Sequence, residues 1–178
     1  GKSTILSMIF GDNPKAYGQN IHLFGSKKGS GESVWDIKKK IGYYAPAMTD
    51  KFSGRHSIEN MLISGLNDSV GLYVKPTAFQ QRIIKQWLAL LDLSDIKNTF
   101  FNALSTGKQR LVMTARAMVK QPPLLILDEP TAGMDDDSAA LLVALVNKFA
   151  EETDTAIIFV SHRKEKGLKP EQTFYLTP

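Results

Sequence analysis

The chain alternates short aliphatic runs with longer segments whose apolar residues recur at helical spacing. Residues 124–127 and Ala156–Val160 are uninterrupted runs, typical of parallel strands covered on both faces. The apolar spacing predicts helices over 3–10, 56–65, 76–91, 105–119 and 137–151. Less regular runs at 18–24, 33–44 and 172–176 are assigned as further strands, with a glycine-rich loop over 25–31.

Strands and helices alternate at both ends of the chain, and the middle is mostly helical. This order predicts an α/β fold, a mostly parallel sheet with a helical subdomain inserted at about 48–120. The 178 residues are enough for one domain, 1–178, with its own core.

Composition narrows the class of protein further. Hydrophobic residues make up 43% and charged residues 22%, as in ordinary globular domains, and no apolar run is long enough to span a membrane. The absence of cysteine excludes disulfides and thiolate metal sites and fits a cytoplasmic protein. The net charge is +4, with lysine clusters at 27–28 and 38–40. Those clusters are either a solvated face or a contact for acidic lipid, nucleic acid or nucleotide.

Two adjacent carboxylates, Asp128 and Glu129, follow the run 124–127. Open α/β sheets bind ligands at the carboxyl ends of their strands. Neighbouring side chains of a strand point in different directions, so one carboxylate can serve a metal while the other faces a water molecule. The alternative is a plain turn, since Asp-Glu-Pro also suits a chain reversal.

The chain opens on Gly1, Lys2, Ser3 and Thr4, the second half of the phosphate-binding pattern G-x-x-x-x-G-K-[ST]. Amides at the start of the following helix would bind phosphates, Lys2 would reach the β- and γ-phosphates, and Ser3 would ligate Mg²⁺. Because the pattern is only half present, we expect a fragment that lacks upstream strands and, as it stands, binds ATP poorly. A second polar loop, Ser105, Thr106, Gly107 and Lys108, opens another helix, where it can either contact phosphate or simply cap the helix.

These motifs, in this order, resemble the ATP-binding cassette (ABC) ATPases, which are P-loop NTPases. The resemblance implies ATP and Mg²⁺ as cofactors, with Gly1–Thr4 as Walker A and Asp128 holding Mg²⁺ beside Ser3. It implies that Glu129 is the general base for the attacking water. His162, two residues after the end of the strand Ala156–Val160, fits the switch histidine that contacts the γ-phosphate.

The resemblance also implies a partner cassette, either in the same chain or as a second copy. Ser105, Thr106, Gly107 and Lys108 match the signature loop, which contacts the partner's ATP, although Lys108 stands where the family usually has Gln. Asp135 matches the D-loop aspartate at the interface. The family usually has a Gln after the residues that correspond to 41–44. This chain has none there, since no Gln occurs between 20 and 79. Thr49 or a water could replace it.

Segments 25–42, 68–73, 86–88 and 117–120 are similar to the second cassette of tandem ATP-binding proteins associated with molybdate transport and photorepair. This likeness implies ATP hydrolysis linked to molybdate-type transport, in the cytoplasm or at the inner membrane face beside a permease. The alternative is a soluble, nucleotide-gated regulatory or nucleic-acid-associated protein without a permease.

Overall fold

The computed structural model describes residues 1–16, 18–52, 54–69 and 74–176. They form two compact units, Gly1–Ile41 with the segment from Pro170, and Gly42–Lys169. Part of the segment 68–73 used above, residues 70–73, lies outside the described residues. Within the described ranges, no helix combines the length and the apolar character needed to cross a membrane.

The first unit contains helix α1 (Lys2–Phe10), a short hairpin of β1 (His22–Leu23) and β2 (Ser26–Lys27), and helix α2 (Val34–Lys39). The predicted helix over 3–10 is confirmed. The strand predicted over 18–24 is limited to β1, and β2 lies in the predicted loop. Residues 172–176 form no strand.

The strand predicted over 33–44 is wrong for its first half, which forms α2. Ser33 starts this helix because its hydroxyl accepts a hydrogen bond from the amide of Asp36, and the Asp36 carboxylate accepts one from the amide of Ser33. This reciprocal capping stabilises the helix start. Trp35 is 74% exposed, so its side chain does not belong to the buried face of a strand.

The second unit is built on a sheet with the strand order β3 (Ile41–Tyr44), β4 (Leu124–Asp128) and β5 (Ala156–Val160). Strands β4 and β5 are parallel, with Leu124 opposite Ala156 and Asp128 opposite Val160. Leu125, Ile126 and Leu127 of β4 are fully buried, as predicted for a strand covered on both faces. The same prediction is wrong for β5, in which Ala156 is exposed and residues 157–160 are half-buried, because β5 lies at an edge of this three-stranded sheet.

Four helices pack around this sheet: α3 (Ile58–Leu66), α4 (Ala78–Leu90), α5 (Thr106–Met118) and α6 (Asp136–Glu152). Helix α3 packs against α4 and α5, and α5 also contacts α6 and β4. Each helix begins after a residue whose side chain accepts a hydrogen bond from the first turn; these residues are Ser57, Thr77, Ser105 and Asp135. The predicted helix starts at 76 and 137 were therefore displaced by one or two residues, while the capping role of Ser105 is confirmed.

Two glycines allow the backbones to approach closely. A Cβ on Gly42 in β3 would overlap the carbonyl oxygen of Ala117, and a Cβ on Gly65 in α3 would overlap that of Arg116. Both carbonyls belong to α5, which therefore lies against the sheet on one side and α3 on the other. The helical subdomain over 48–120 stays a prediction.

Candidate functional site

The carboxyl ends of β4 and β5 meet at one edge of the sheet because the two strands are parallel and in register. Beyond the last pair, the amide of Glu129 donates a hydrogen bond to the carbonyl of Val160 at 2.9 Å. Glu129 then takes a left-handed conformation, with φ 54°, which turns the chain away from the strand direction. The residue after β4 and the loop after β5 are thus held side by side.

This edge brings together Glu129, which is predicted to act on the attacking water, and His162, which is predicted to contact the γ-phosphate. Oε1 of Glu129 lies 3.1 Å from Nε2 of His162, and the amide of His162 donates to Oε2 at 3.4 Å. The glutamate side chain is 23% exposed and the imidazole 81%. A half-buried carboxylate beside an exposed imidazole can exchange protons with a molecule bound at the mouth of the site.

Behind this pair lies a buried carboxylate that the sequence did not single out. Glu165 is 8% exposed, and its Oε1 accepts hydrogen bonds from the hydroxyls of Thr131 at 2.5 Å and Ser161 at 2.9 Å, and from Nε of Arg163 at 3.3 Å. Burial acts to raise the pKa of Glu165, but these hydrogen bonds and the Arg163 charge outweigh it and hold the pKa below its usual value. Glu165 is therefore an ionised group joining the two loops.

The predicted signature loop, residues 105–108, lies at the start of α5 in the same unit. Ser105, Thr106 and Lys108 are exposed, and the Ser105 hydroxyl accepts a hydrogen bond from the amide of Lys108 at 3.4 Å. Exposed amides at a helix start can receive a phosphate. Ser105 can therefore cap α5 while the exposed residues of the loop remain able to contact a phosphate.

Gly107 joins the signature loop to the start of α6. A Cβ on Gly107 would lie 2.6 Å from Oγ of Ser138, so only a hydrogen fits there. Asp135 starts α6 by accepting hydrogen bonds from the amide and the hydroxyl of Ser138, at 2.9 and 2.8 Å. These bonds lower the pKa of the Asp135 carboxyl, the backbone bond from Ser138 most of all. The predicted signature and D-loop residues therefore adjoin through Ser138.

A further contact connects α5 to the turn after Glu129. Nη1 of Arg110 donates to the carbonyl of Pro130 at 3.4 Å. The sequence analysis did not single out Arg110, because a contact across 20 residues leaves no local pattern.

Gly1, Lys2, Ser3 and Thr4 lie in the first unit, at the start of α1. The amides of Thr4 and Ile5 donate to the carbonyl of Gly1 at 3.1 and 3.4 Å, and Ser3 is exposed. Asp128, the other predicted Mg²⁺ ligand, is half-buried at the end of β4 in the second unit. A carboxylate and a hydroxyl suit Mg²⁺, which prefers oxygen ligands and keeps several waters. Their shared role stays a prediction.

The segment after β3, where the family has its Gln, forms a 3-10 turn over Pro46–Phe52. Tyr44 at the end of β3 is fully buried. Burial raises the pKa of its phenol, and the Thr49 hydroxyl and the Arg110 charge offset this only partly. The replacement of the Gln by Thr49 stays a prediction.

Comparison with known proteins identifies relatives of this arrangement. The family model described as "ABC transporter" matches residues 1–132. ABC transporter ATP-binding protein ModF of Escherichia coli is 41% identical over 93% of this chain and 34% of its own length. Molybdate import ATP-binding protein MolC of Haemophilus influenzae is 23% identical over 92% of the chain and 58% of its own length.

Among solved structures, cbiO1 of Clostridium perfringens, part of the ABC transporter complex cbiONQ, superposes with a TM-score of 0.76. It is 23% identical and covers 92% of this chain and 63% of its own, and its likeness shows the fold. The predicted fold class and the resemblance to an ABC ATPase of the ModF type are confirmed. This chain spans about a third of the length of ModF.

Proposed function

Because this chain belongs to the ABC transporter family, we propose that it is an ATP-binding cassette that binds ATP with Mg²⁺ and hydrolyses it. The observation that carries the proposal is the pairing of Glu129 with His162, whose Oε1 and Nε2 atoms lie 3.1 Å apart at the carboxyl ends of adjacent parallel strands. Both residues are those that the family resemblance assigns to the attacking water and the γ-phosphate.

In the proposed reaction, a water molecule attacks the γ-phosphorus of ATP and gives a proton to Glu129. The bond from the γ-phosphorus to the bridging oxygen of the β-phosphate breaks, so that ADP leaves and inorganic phosphate forms. The Glu129 carboxylate is oriented by the His162 amide, which donates to Oε2 at 3.4 Å. The exposed imidazole of His162 donates a hydrogen bond towards the γ-phosphate oxygens. When bound, Mg²⁺ would supply charge that stabilises the phosphates, and the carboxylate of Asp128 would be one of its oxygen ligands.

The remaining site residues act on phosphates through backbone amides and positive charge. Gly1, Lys2, Ser3 and Thr4 would bind the phosphates of this cassette's own ATP, because they form the start of α1, where the helix dipole is positive. Ser105, Thr106, Gly107 and Lys108 would contact the ATP of a partner cassette, with Asp135 at the shared interface. The partner is a second cassette, in the same protein or in a second copy.

Steady-state ATP turnover by the full-length protein, with and without Glu129→Gln, tests this proposal. The substitution keeps the size of the side chain and removes its basicity. We expect turnover to fall by about 10²-fold or more, whereas the control Glu171→Gln, at an exposed carboxylate, leaves it unchanged. Equal rates in wild type and Glu129→Gln would contradict the ATPase assignment.

We further propose that turnover is linked to transport of molybdate type, in the cytoplasm or at the inner face of the membrane beside a permease. The likeness to ModF and to MolC, a molybdate import protein, supports this. Titration of ATPase activity in membranes carrying the cognate permease, with molybdate and with zinc as the comparison, would test the substrate class. Stimulation by zinc alone would contradict the molybdate assignment.

The alternative, a nucleic-acid-associated protein, depends on the lysine clusters. Several of these lysines have partners within their own unit: Lys28 donates to the carbonyl of Met8, Lys38 pairs with Asp12 at 3.1 Å, and Lys40 lies 3.6 Å from Glu32. Paired cations attract phosphate backbones less strongly than free ones. These contacts favour the solvated-face interpretation, and a salt-sensitive shift of DNA by the protein would favour the alternative.

A further inference from the structure

We propose that Glu165 is a positioning residue, which holds the turn carrying Glu129 and the loop carrying His162 at the spacing that hydrolysis requires. This inference rests on the proposed ATPase function. It starts from one oxygen atom, Oε1 of Glu165, which accepts hydrogen bonds from Thr131, Ser161 and Arg163.

The two hydroxyl donors come from the two loops that form the site. Thr131 lies two residues after Glu129, in a turn closed by a hydrogen bond from the amide of Ala132 to the carbonyl of Glu129 at 3.1 Å. Ser161 directly precedes His162 and directly follows β5. A displacement of Glu165 would therefore move both segments next to their reacting residues.

Backbone hydrogen bonding between the strands reaches the start of both loops. The amide of Glu129 donates to the carbonyl of Val160 at 2.9 Å. Beyond it, the backbone of one loop turns at Glu129 and that of the other continues to His162. Oε1 of Glu165 is the point at which hydroxyls from both segments converge, at 2.5 and 2.9 Å.

A carboxylate suits this position better than a neutral group. The Thr131 residue is 1% exposed and the Glu165 side chain 4%, so the hydroxyl and the carboxylate depend on each other for hydrogen bonds. Hydrogen bonds to a buried charge are stronger than those between neutral groups. The Arg163 guanidinium, with Nε 3.3 Å from Oε1, balances the charge at the solvent side.

The test uses the full-length protein with Glu165→Gln, which keeps the shape but removes the charge. Thr131→Val and Ser161→Ala each remove one hydroxyl and serve if Glu165→Gln does not fold. Thr131→Ser restores the hydroxyl and is the matched rescue variant. Lys166→Ala, at an exposed residue beside Glu165, is the control that leaves turnover unchanged.

The first measurement determines kcat and KM for ATP separately in each variant. We expect Glu165→Gln to lower kcat by about tenfold or more, because small displacements of reacting groups are costly. We expect KM to stay within about twofold of wild type, since ground-state binding is unaffected. Thr131→Val should lower kcat and Thr131→Ser should recover most of it. An unchanged kcat, or a loss confined to KM, would overturn the proposal.

The second measurement needs no ATP. In nucleotide-free protein, Glu165→Gln should shift the NMR resonances of the His162 imidazole and leave those of His22 and His56 in place. Unmoved His162 resonances would overturn the positioning role. If wild type does not hydrolyse ATP, the proposed function fails on that result, and the His162 resonances still decide the role of Glu165.

Discussion

Gly107 lies directly against Ser138, so that a Cβ built on the glycine would be 2.6 Å from Oγ and 2.9 Å from Cβ of the serine. Ser138 in turn is held by Asp135, which accepts hydrogen bonds from its amide and its hydroxyl. The start of α5 and the start of α6 therefore share one packed contact. Both segments carry residues proposed to face a partner cassette, and the contact fixes their mutual geometry.

Gly107→Ala should destabilise the protein, although alanine favours helices over glycine. The added methyl group meets the Cβ of Ser138, which cannot rotate away, and overpacking of this kind costs about 1–3 kcal/mol. Thermal or denaturant unfolding measures the change, with Thr106→Ala at the exposed neighbouring position as the control. A variant more stable than wild type would show that helix propensity outweighs the contact with Ser138.

Arg116 should matter for stability because it joins three segments of the second unit. Its Nε donates to Oγ of Ser64 at 3.0 Å, Nη2 donates to the carbonyl of Ser69, and the guanidinium lies 4.9 Å from the ring centre of Phe52. Arg116→Met keeps the approximate length of the side chain and removes both hydrogen bonds and the charge over the Phe52 ring. We expect the free energy of unfolding to fall by about 1–3 kcal/mol.

The control for this substitution is Arg82→Ala, because Arg82 is exposed on α4. Denaturant titration of both variants gives the comparison. If the two substitutions cost the same, the contacts of Arg116 contribute nothing beyond those of an ordinary surface arginine.

Glu165 should make the free energy of unfolding depend on pH. Its pKa is lowered in the folded protein, so its contribution to stability is present above the pKa of an unfolded glutamate, about 4.3. The contribution disappears as the pH falls through the lower folded value. Unfolding curves for wild type and Glu165→Gln should therefore differ most near neutral pH and converge in acid. A difference that stays constant, or grows, as the pH falls would show that the carboxylate charge does not stabilise the fold.

Much of the second unit could be predicted from the sequence, because its signals are local. The run 124–127 and the segment Ala156–Val160 form β4 and β5, and Ser105 caps α5 as expected. Glu129 and His162 could be selected because each follows an aliphatic strand, Glu129 directly and His162 after Ser161. Their approach to 3.1 Å then follows from the parallel register of the two strands.

The failures have physical reasons of their own. Residues 33–39 were predicted as a strand because Val34, Trp35 and Ile37 are apolar, but the capping pair of Ser33 and Asp36 determines a helix. Glu165 and Arg110 were not predicted because their roles depend on contacts with Thr131 and Pro130, 34 and 20 residues away. Such contacts exist only after the strands have aligned the loops.

The most direct test of the proposed chemistry is single-turnover hydrolysis of bound ATP by the full-length protein in four forms: wild type, Glu129→Gln, His162→Ala and the double variant. If Glu129 on the attacking water and His162 on the γ-phosphate act as one unit, each single substitution slows hydrolysis by about 10²-fold or more. The double variant should then be slower than Glu129→Gln alone by no more than about threefold, because residues that act as a unit are not additive. Two losses that multiply in the double variant, or a wild type no faster than Glu129→Gln, would contradict the account.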